Sequence, residues 1–386
     1  MKLKHMPLMM PWKGREIPHG AIEVNQKCNL SCDGCYKNKI NFEKSIEKIK
    51  EEIDLMNSMR NLGSMTLTGG EPTLFEQLPE LIRYISFKGI RPLVLTNGTN
   101  LDNSLLKKYK QEGLARISIH IDKHQNLRPD QDKKVNSEKE LNPLRENYLD
   151  LCEKNGIATS LQATIYKDSL NEIFDIINFS QKRSQNHIGI FFTLYSPDVN
   201  FNMKTKNKMK NLEISNEEVI RLMFKREKAL PTMYISSNLN KNSFRWIFYM
   251  NFASLDENRN VSKLYFHPRY KKLLSFLIKF QKRMKGRYSF DDPRSKIQNY
   301  MFLLLYSIYS FPRRDFINSF KFLLKSLINN NIKTFTTIFQ EGPKRIREKE
   351  FEICRNCPDV TVRNKKIIPI CIADFIEPIK NESNIN

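Results

Sequence analysis

The sequence predicts an α/β fold: a partial (βα)6 barrel followed by a mainly helical, basic extension that ends in a small cysteine-rich module. Three observations lead there. Between residues 20 and 196, short strand-like runs alternate with helix-like runs six times. Gly-Gly and Asn-Gly pairs fall at the ends of the strand-like runs, where a βα unit turns. Past residue 200 the alternation gives way to basic, amphipathic helix patterns.

Each element follows from local pattern. A short strand at 21–25 precedes a loop with three cysteines. Helix 45–59 places Ile46, Ile49, Ile53 and Met56 on one side, with Glu and Lys opposite. Strand 64–68 ends at Gly69-Gly70, helix 74–87 follows, and strand 92–96 ends at Asn97-Gly98. Helix 101–112 is closed by Gly113, a residue suited to a left-handed helix end. Strand 115–121 alternates in polarity, 137–155 is mainly helix with Gly156 after it, and 157–166 is a strand. Helix 170–182 and strand 188–195 complete the series. Repeated βα units imply parallel pairing through right-handed crossovers, with chemistry at the carboxyl ends of the strands.

Residues 1–17 read as a surface segment rather than a secretory signal: Lys2, Lys4 and His5 are followed by breaks at Pro7 and Pro11. Residues 18–200 form the expected core domain, 201–350 the basic extension and 351–386 the cysteine module. In the extension, 270–284 mixes Leu273, Leu274, Leu277, Ile278 and Phe280 with Lys and Arg, while Pro293, Pro312 and Pro343 punctuate the segment. No run reaches the roughly 18 apolar residues that a membrane span needs; the longest, 300–311, has twelve residues including two serines. The expected location is the cytoplasm, peripheral to a membrane.

Charge is unevenly placed. Of a net +22, residues 201–350 hold 31 Lys/Arg against 12 Asp/Glu. Such asymmetry fits an anionic partner: membrane headgroups, an anionic substrate or nucleic acid, although no RNA-binding motif is visible. It fits equally a solvated face, or helices whose apolar sides pack on the barrel.

Six of the seven cysteines form two groups, Cys28/Cys32/Cys35 and Cys354/Cys357/Cys371, leaving Cys152 on a predicted helix as a small buried hydrophobe. Clustered thiols in a large chain point to metal rather than to a disulfide framework. Cys28-Asn29-Leu30-Ser31-Cys32-Asp33-Gly34-Cys35 has CxxxCxxC spacing. Thiolates are soft ligands that suit iron–sulfur clusters or zinc. Three of them can hold three irons of a cubane and leave the fourth open, or can form a zinc site completed by a distant His.

The cysteine loop after the first strand, together with Thr68-Gly69-Gly70-Glu71-Pro72 after the second, resembles the radical S-adenosylmethionine (SAM) superfamily. The resemblance covers about residues 18–200 and implies a partial (βα)6 radical SAM barrel. It implies that Cys28, Cys32 and Cys35 ligate a [4Fe–4S] cluster whose open iron chelates SAM. Gly69 and Gly70 would let the backbone approach the cofactor, and Glu71 would accept a hydrogen bond from its ammonium group. Many members carry an aromatic residue directly before the third cysteine; here that residue is Gly34, with Tyr36 just after the cysteine as a replacement near adenine. Asn97 and Ser118 match strand-end positions that contact SAM in the family, and Thr164 or Ile165 would approach adenine. As residues alone, Gly-Gly-Glu-Pro is also a turn string and Asn97-Gly98 a turn. His120 and Asp122 project to one side of a strand at its carboxyl end and are the candidate catalytic residues; a strand histidine can also be a packing residue.

The implied activity is reductive cleavage of SAM to a 5′-deoxyadenosyl radical for C–H activation or C–C bond formation. A low-potential donor such as ferredoxin or flavodoxin would supply the electron. Cys354, Cys357 and Cys371 flank a hairpin pattern around Asn364-Lys365-Lys366. They suit an auxiliary [4Fe–4S] cluster, with zinc or free thiols as alternatives and Asp359, a His, water or substrate as fourth ligand. This second group is similar to that of the branch holding tetraether lipid synthases and pterin-methylating enzymes. The substrate readings are a lipid or other anionic molecule, then RNA or a peptide; a non-catalytic iron–sulfur or zinc protein stands as a reading from another class.

Overall fold

The structure is a computed structural model that describes residues 5–379 apart from 127, 185, 290–293 and 313. Lys2, Lys4, Pro293 and residues 380–386 of the cysteine module therefore lie outside the described residues. Six strands form in chain order: β1 (His19–Glu23), β2 (Ser64–Thr68), β3 (Arg91–Thr96), β4 (Arg116–His120), β5 (Ala158–Ile165) and β6 (His187–Leu194). All pair in parallel, each with the next. Between them run α1 (Ile46–Met59), α2 (Leu78–Phe87), α3 (Asn103–Gln111), α4 (Asn142–Lys154) and α5 (Ile173–Gln181).

Helix starts follow from capping chemistry. Ser45 accepts from the Lys48 amide and Asp102 from the Leu105 amide, each satisfying one orphan donor of the first turn. The apolar stripe of α1 (Ile46, Ile49, Ile53 and Met56) is buried against the sheet, as its spacing requires. Cys152 is fully buried in α4, and burial pushes its thiol up to about 12.

The extension is mainly helical, as its pattern predicts, but it also carries strands that the pattern did not indicate. It holds α6 (Asn216–Glu227), α7 (Lys271–Lys285), α8 (Lys296–Tyr309) and α9 (Arg314–Ile328). It also contributes β7 (Met233–Ser236), β8 (Phe244–Leu255), β9 (Val261–Tyr265) and β10 (Lys333–Glu341) to the same sheet. β10 pairs parallel to β6, β8 runs antiparallel to β10, and β7 and β9 flank β8. The physical reason is the nearly continuous aromatic and aliphatic run from Phe244 to Leu255: it is buried on both faces and so shows no alternation. Gly189 admits β10, because a Cβ there would lie 2.4 Å from the Thr336 carbonyl oxygen.

The N-terminal segment, expected as a surface segment, is instead built into the fold. Leu8–Met9 pair in parallel with Met233 and Tyr234, and Trp12 and Ile17 are buried in the core. Apolar residues around Pro7 and Pro11 are explained by this docking.

The cysteine module follows the short hairpin β11 (Lys344–Arg347) and β12 (Glu350–Glu352). It contains β13 (Val360–Arg363) and β14 (Lys366–Pro369), joined at Asn364 and Lys365 with φ of +46° and +62°. That is the positive-φ pair a two-residue hairpin turn requires. β13 packs beside β1, while Cys354 bridges to Ser237 just after β7, so the module spans the side of the barrel between those strands.

A buried charge network fastens it there. Glu23 at the end of β1 is paired with Lys37 of the cysteine loop and, at 2.6 Å, with Arg363 of β13. Asp374 lies 2.8 Å from Arg363 and 3.3 Å from Lys37, and accepts from Gln26 Nε2 and the Asn38 amide. Burial would push the Glu23 carboxyl up, but the Lys37 and Arg363 charges outweigh it and hold it below the usual range. Removing one member of such a set leaves an uncompensated buried charge, at about 3–5 kcal/mol. Arg363→Met should therefore lower unfolding free energy by about that much in urea titration; a change under about 1 kcal/mol would show the network to be energetically idle.

Candidate functional site

The cysteine loop leaves β1 and is held by the turn that leaves β2. The amides of Gly70 and Glu71 donate to the carbonyls of Asn25 and Lys27, and Asn25 Nδ2 returns a bond to the Glu71 carbonyl. The approach is too close for side chains. A Cβ on Gly69 would lie 2.5 Å from the Asn25 carbonyl oxygen, and one on Gly70 would lie 2.0 Å from that of Lys27. Where the sequence points to approach by a cofactor, the structure gives these glycines a second duty: they clamp the cysteine loop.

Glu71 is buried beneath this turn. Its Oε1 accepts from the Thr73 amide and from the Thr73 and Thr96 hydroxyls, and its Oε2 accepts from the Asn97 amide at 2.8 Å. Burial raises its pKa, and these four bonds act against the rise. Oε2 therefore keeps acceptor capacity on the cavity side. Asn97 donates through Nδ2 to Asn29 of the cysteine loop at 2.8 Å, tying the end of β3 to the same loop.

One cavity of about 370 Å³ collects the sequence candidates: Cys28, Cys32, Cys35, Tyr36, Gly69, Gly70, Glu71, Asn97, Ser118, His120 and Asp122 all line it. The thiols sit together around Lys39. Its burial is offset by the charges of Cys35, Cys32 and Cys28, which hold the ammonium above the usual lysine range, and its Nζ donates to the Leu30 carbonyl at 2.7 Å. Burial raises the pKa of Cys28 and, more strongly, of Cys32. Three inward-facing thiols beside one cation form a soft, anionic donor set when ionised, which fits an iron–sulfur cluster.

His120 and Asp122 meet as their spacing requires. Asp122 Oδ2 lies 2.9 Å from His120 Nε2 and accepts from the Thr164 amide, while Oδ1 accepts from the His124 amide. Burial works to raise the Asp122 carboxyl, but the bond and charge of His120 prevail and keep it below the usual range. Of the two β5 residues, Thr164 faces the cavity and Ile165 is packed in the core, as alternation along a strand dictates.

Tyr36 does not occupy the place before the third cysteine. It packs against the C-terminal module, where burial, and then the charges of Glu23, Cys35 and Cys371, raise its pKa. The space beside Gly34 is taken instead by Tyr166 and Tyr195, whose rings lie 4.8 Å apart and tilted by 31°; a Cβ on Gly34 would lie 2.4 Å from the Tyr166 hydroxyl. This pair was not singled out in the sequence, because its residues follow β5 and β6, far along the chain from the cysteines. Lys39 was missed as an ordinary surface-type lysine.

The C-terminal cysteines also come together. Cys354 and Cys357 are buried, and Cys357 is raised by a hydrogen bond with Cys354 and by burial. Cys371 lines the main cavity, where burial and the neighbouring charges of Cys354 and Asp359 push it to about 12. Asp359 stands 3.6 Å from His19 Nε2, so both carboxylate and imidazole are near the thiols. Among the described residues, no three His, Cys, Asp or Glu side chains converge on a point that would hold a single ion.

The loop clamp makes a direct prediction. Gly70→Ala must displace the Lys27 backbone, at about 1–3 kcal/mol, and should leave well under half of the wild-type iron after anaerobic reconstitution. Iron content equal to wild type would show that the clamp does not set the cysteine geometry.

Comparison with known proteins agrees with this site. Residues 22–180 match the model of the radical SAM superfamily. Fe-coproporphyrin III synthase of Methanosarcina barkeri is 30% identical over half of this chain and 47% of its own length. The 7,8-dihydro-6-hydroxymethylpterin dimethyltransferase of Methanocaldococcus jannaschii is 31% identical over 44% of this chain and 35% of its own. The chain thus spans less than half the length of these two relatives. The crystal structure of Streptococcus suis SuiB bound to precursor peptide SuiA aligns at 17% identity with a TM-score of 0.40, covering 56% of this chain and 48% of its own. The span matched by the family model opens inside β1 and closes in α5, taking in both the cysteine loop and the Gly-Gly-Glu turn, so residues 22–180 form a radical SAM domain.

Proposed function

We propose that the chain holds a [4Fe–4S] cluster on Cys28, Cys32 and Cys35, cleaves SAM reductively there, and activates a C–H bond or forms a C–C bond on a lipid or other anionic substrate. The observation that carries this reading is the shared cavity: thiols, Gly-Gly-Glu turn and polar strand ends open into one space. When bound, the cluster and SAM supply one-electron cleavage to methionine and a 5′-deoxyadenosyl radical.

The chain's own residues have distinct tasks in this account. Lys39 favours the ionised form of Cys28 and Cys32 by charge. Glu71, immobilised by Thr73, Thr96 and Asn97, offers the remaining acceptor position of Oε2 to an ammonium group. Asp122 fixes the His120 ring at the cavity wall, where the imidazole can bind substrate or move a proton. Tyr166 and Tyr195 wall off the cysteine loop and keep water from it. Below them the cavity wall turns apolar with Leu93, Ile190, Phe191, Phe248 and Ile338, which favours a substrate with a hydrocarbon part. Cys354, Cys357 and Cys371 hold an auxiliary cluster in this reading, with Asp359 as the candidate for a further ligand. A ferredoxin or flavodoxin supplies the electron, and the site of action is the cytoplasm, at a membrane surface.

Anaerobic protein reconstituted with iron and sulfide, then given dithionite and SAM, should form 5′-deoxyadenosine. The Cys28/Cys32/Cys35 triple alanine variant should form none. The Cys354/Cys357/Cys371 triple variant should still form it while carrying less iron than wild type. Equal product from wild type and the first variant would contradict the reading.

A further inference from the structure

The described surface exposes large apolar side chains unevenly. Most of them lie on three consecutive helices: Phe276, Phe280 and Met284 on α7; Ile297, Met301, Leu304, Leu305 and Ile308 on α8; Ile317, Phe320, Leu324, Leu327 and Ile328 on α9. Exposure reaches 72% at Ile297 and 84% at Ile328, far beyond what scattered surface residues need. The pair α8 and α9 is apolar on two sides: Phe302, Leu303, Tyr306, Phe322 and Leu323 are buried, while a second set of large apolar residues points out. Ser307, Ser310, Ser319 and Ser326 are also fully buried, with Ser310 Oγ 3.5 Å from Ser319 Oγ.

Charge identifies the occupant of this face. Across residues 271–328 there are thirteen Lys/Arg and three Asp/Glu. Interleaved apolar and basic side chains suit the boundary between acyl chains and anionic headgroups. No described helix is long and apolar enough to cross a membrane, so these helices would lie in the interface.

A second observation links this face to the barrel. The cavity does not stop below the cysteine loop. It continues to the amino-terminal ends of the strands, where Arg116 of β4, Ile188 of β6 and Lys333 of β10 line it. There its wall is completed by Leu274, Ile278 and Gln281 from α7 and by Asn299 from α8. Two of the three helices with exposed apolar faces, α7 and α8, thus border the far end of the cavity.

We infer that α7, α8 and α9 dock on an anionic lipid bilayer and that the far end of the barrel cavity takes a hydrocarbon chain from it. This rests on, and deepens, the proposed function: it makes the substrate class a membrane lipid whose chain reaches the cysteine loop through the barrel. Leu274 and Ile278 border the entry.

The docking test needs neither reductant nor SAM. Flotation of the reconstituted protein with phosphatidylcholine vesicles containing phosphatidylglycerol should recover at least tenfold more protein than pure phosphatidylcholine, and recovery should fall with salt. The triple variant Met301→Glu/Ile308→Glu/Phe320→Glu should lose flotation, with its melting temperature and lipid-free 5′-deoxyadenosine formation unchanged. As a check that does not depend on those charges, Phe320→Trp should gain an emission that brominated-chain lipids quench. The native tryptophans help to report the route: Trp12 is buried yet lines the cavity, whereas Trp246 is buried away from it. Brominated chains should therefore quench wild-type emission, and Trp12→Phe should abolish that quenching. Absence of flotation overturns the inference, as does a dimer in solution that buries this face or tRNA binding without vesicle binding. Flotation without Trp12 quenching overturns the route. If SAM is cleaved while vesicles are not bound, this inference and the membrane location fail, while SAM cleavage at the first cysteine group stands.

Discussion

The four-residue charge network of Glu23, Lys37, Arg363 and Asp374 is the constraint on which the site depends. It joins three parts of the chain that have no local reason to meet: the end of β1, the loop carrying the first cysteines and the C-terminal hairpin. Two carboxylates face two cations in a place with almost no water, so the charges are worth their burial only as a set. The set is extended by Gln26 and the Asn38 amide, both of which donate to Asp374. Directional bonds of this kind fix a loop more closely than apolar packing does.

The barrel was legible because its signals are local. Apolar spacing, caps and glycine punctuation set β1–β6 and α1–α5 within a few residues of their pattern-based limits, and Asn364-Lys365 marked the last hairpin. What was not legible has physical causes. β8 is apolar on both faces and so carries no period that separates a buried strand from a buried helix. β10 reaches β6 only because Gly189 leaves room, a fact visible in space and not in spacing.

The candidate site shows the same division. Cys28, Cys32, Cys35, Glu71, Asn97, Ser118, His120 and Asp122 were marked by motif or by position at strand ends, and the cavity unites them. The partners that make them work were hidden. Lys39 gains its role from three thiols, Thr73 and Thr96 from a buried carboxylate, and Tyr166 and Tyr195 from the bare backbone at Gly34. Each is a common residue type whose task exists only after folding. The glycines of the Gly-Gly-Glu turn carry both meanings at once, clamping the cysteine loop and lining the cavity.

The central claim is that Cys28, Cys32 and Cys35 hold a cluster with one iron open to SAM. Electron paramagnetic resonance of the reduced, reconstituted protein tests it most directly, before and after SAM is added, in wild type and in the Cys354/Cys357/Cys371 triple alanine variant. The account predicts a cluster signal in both proteins that changes on addition of SAM. A signal that SAM leaves unchanged in both would contradict it.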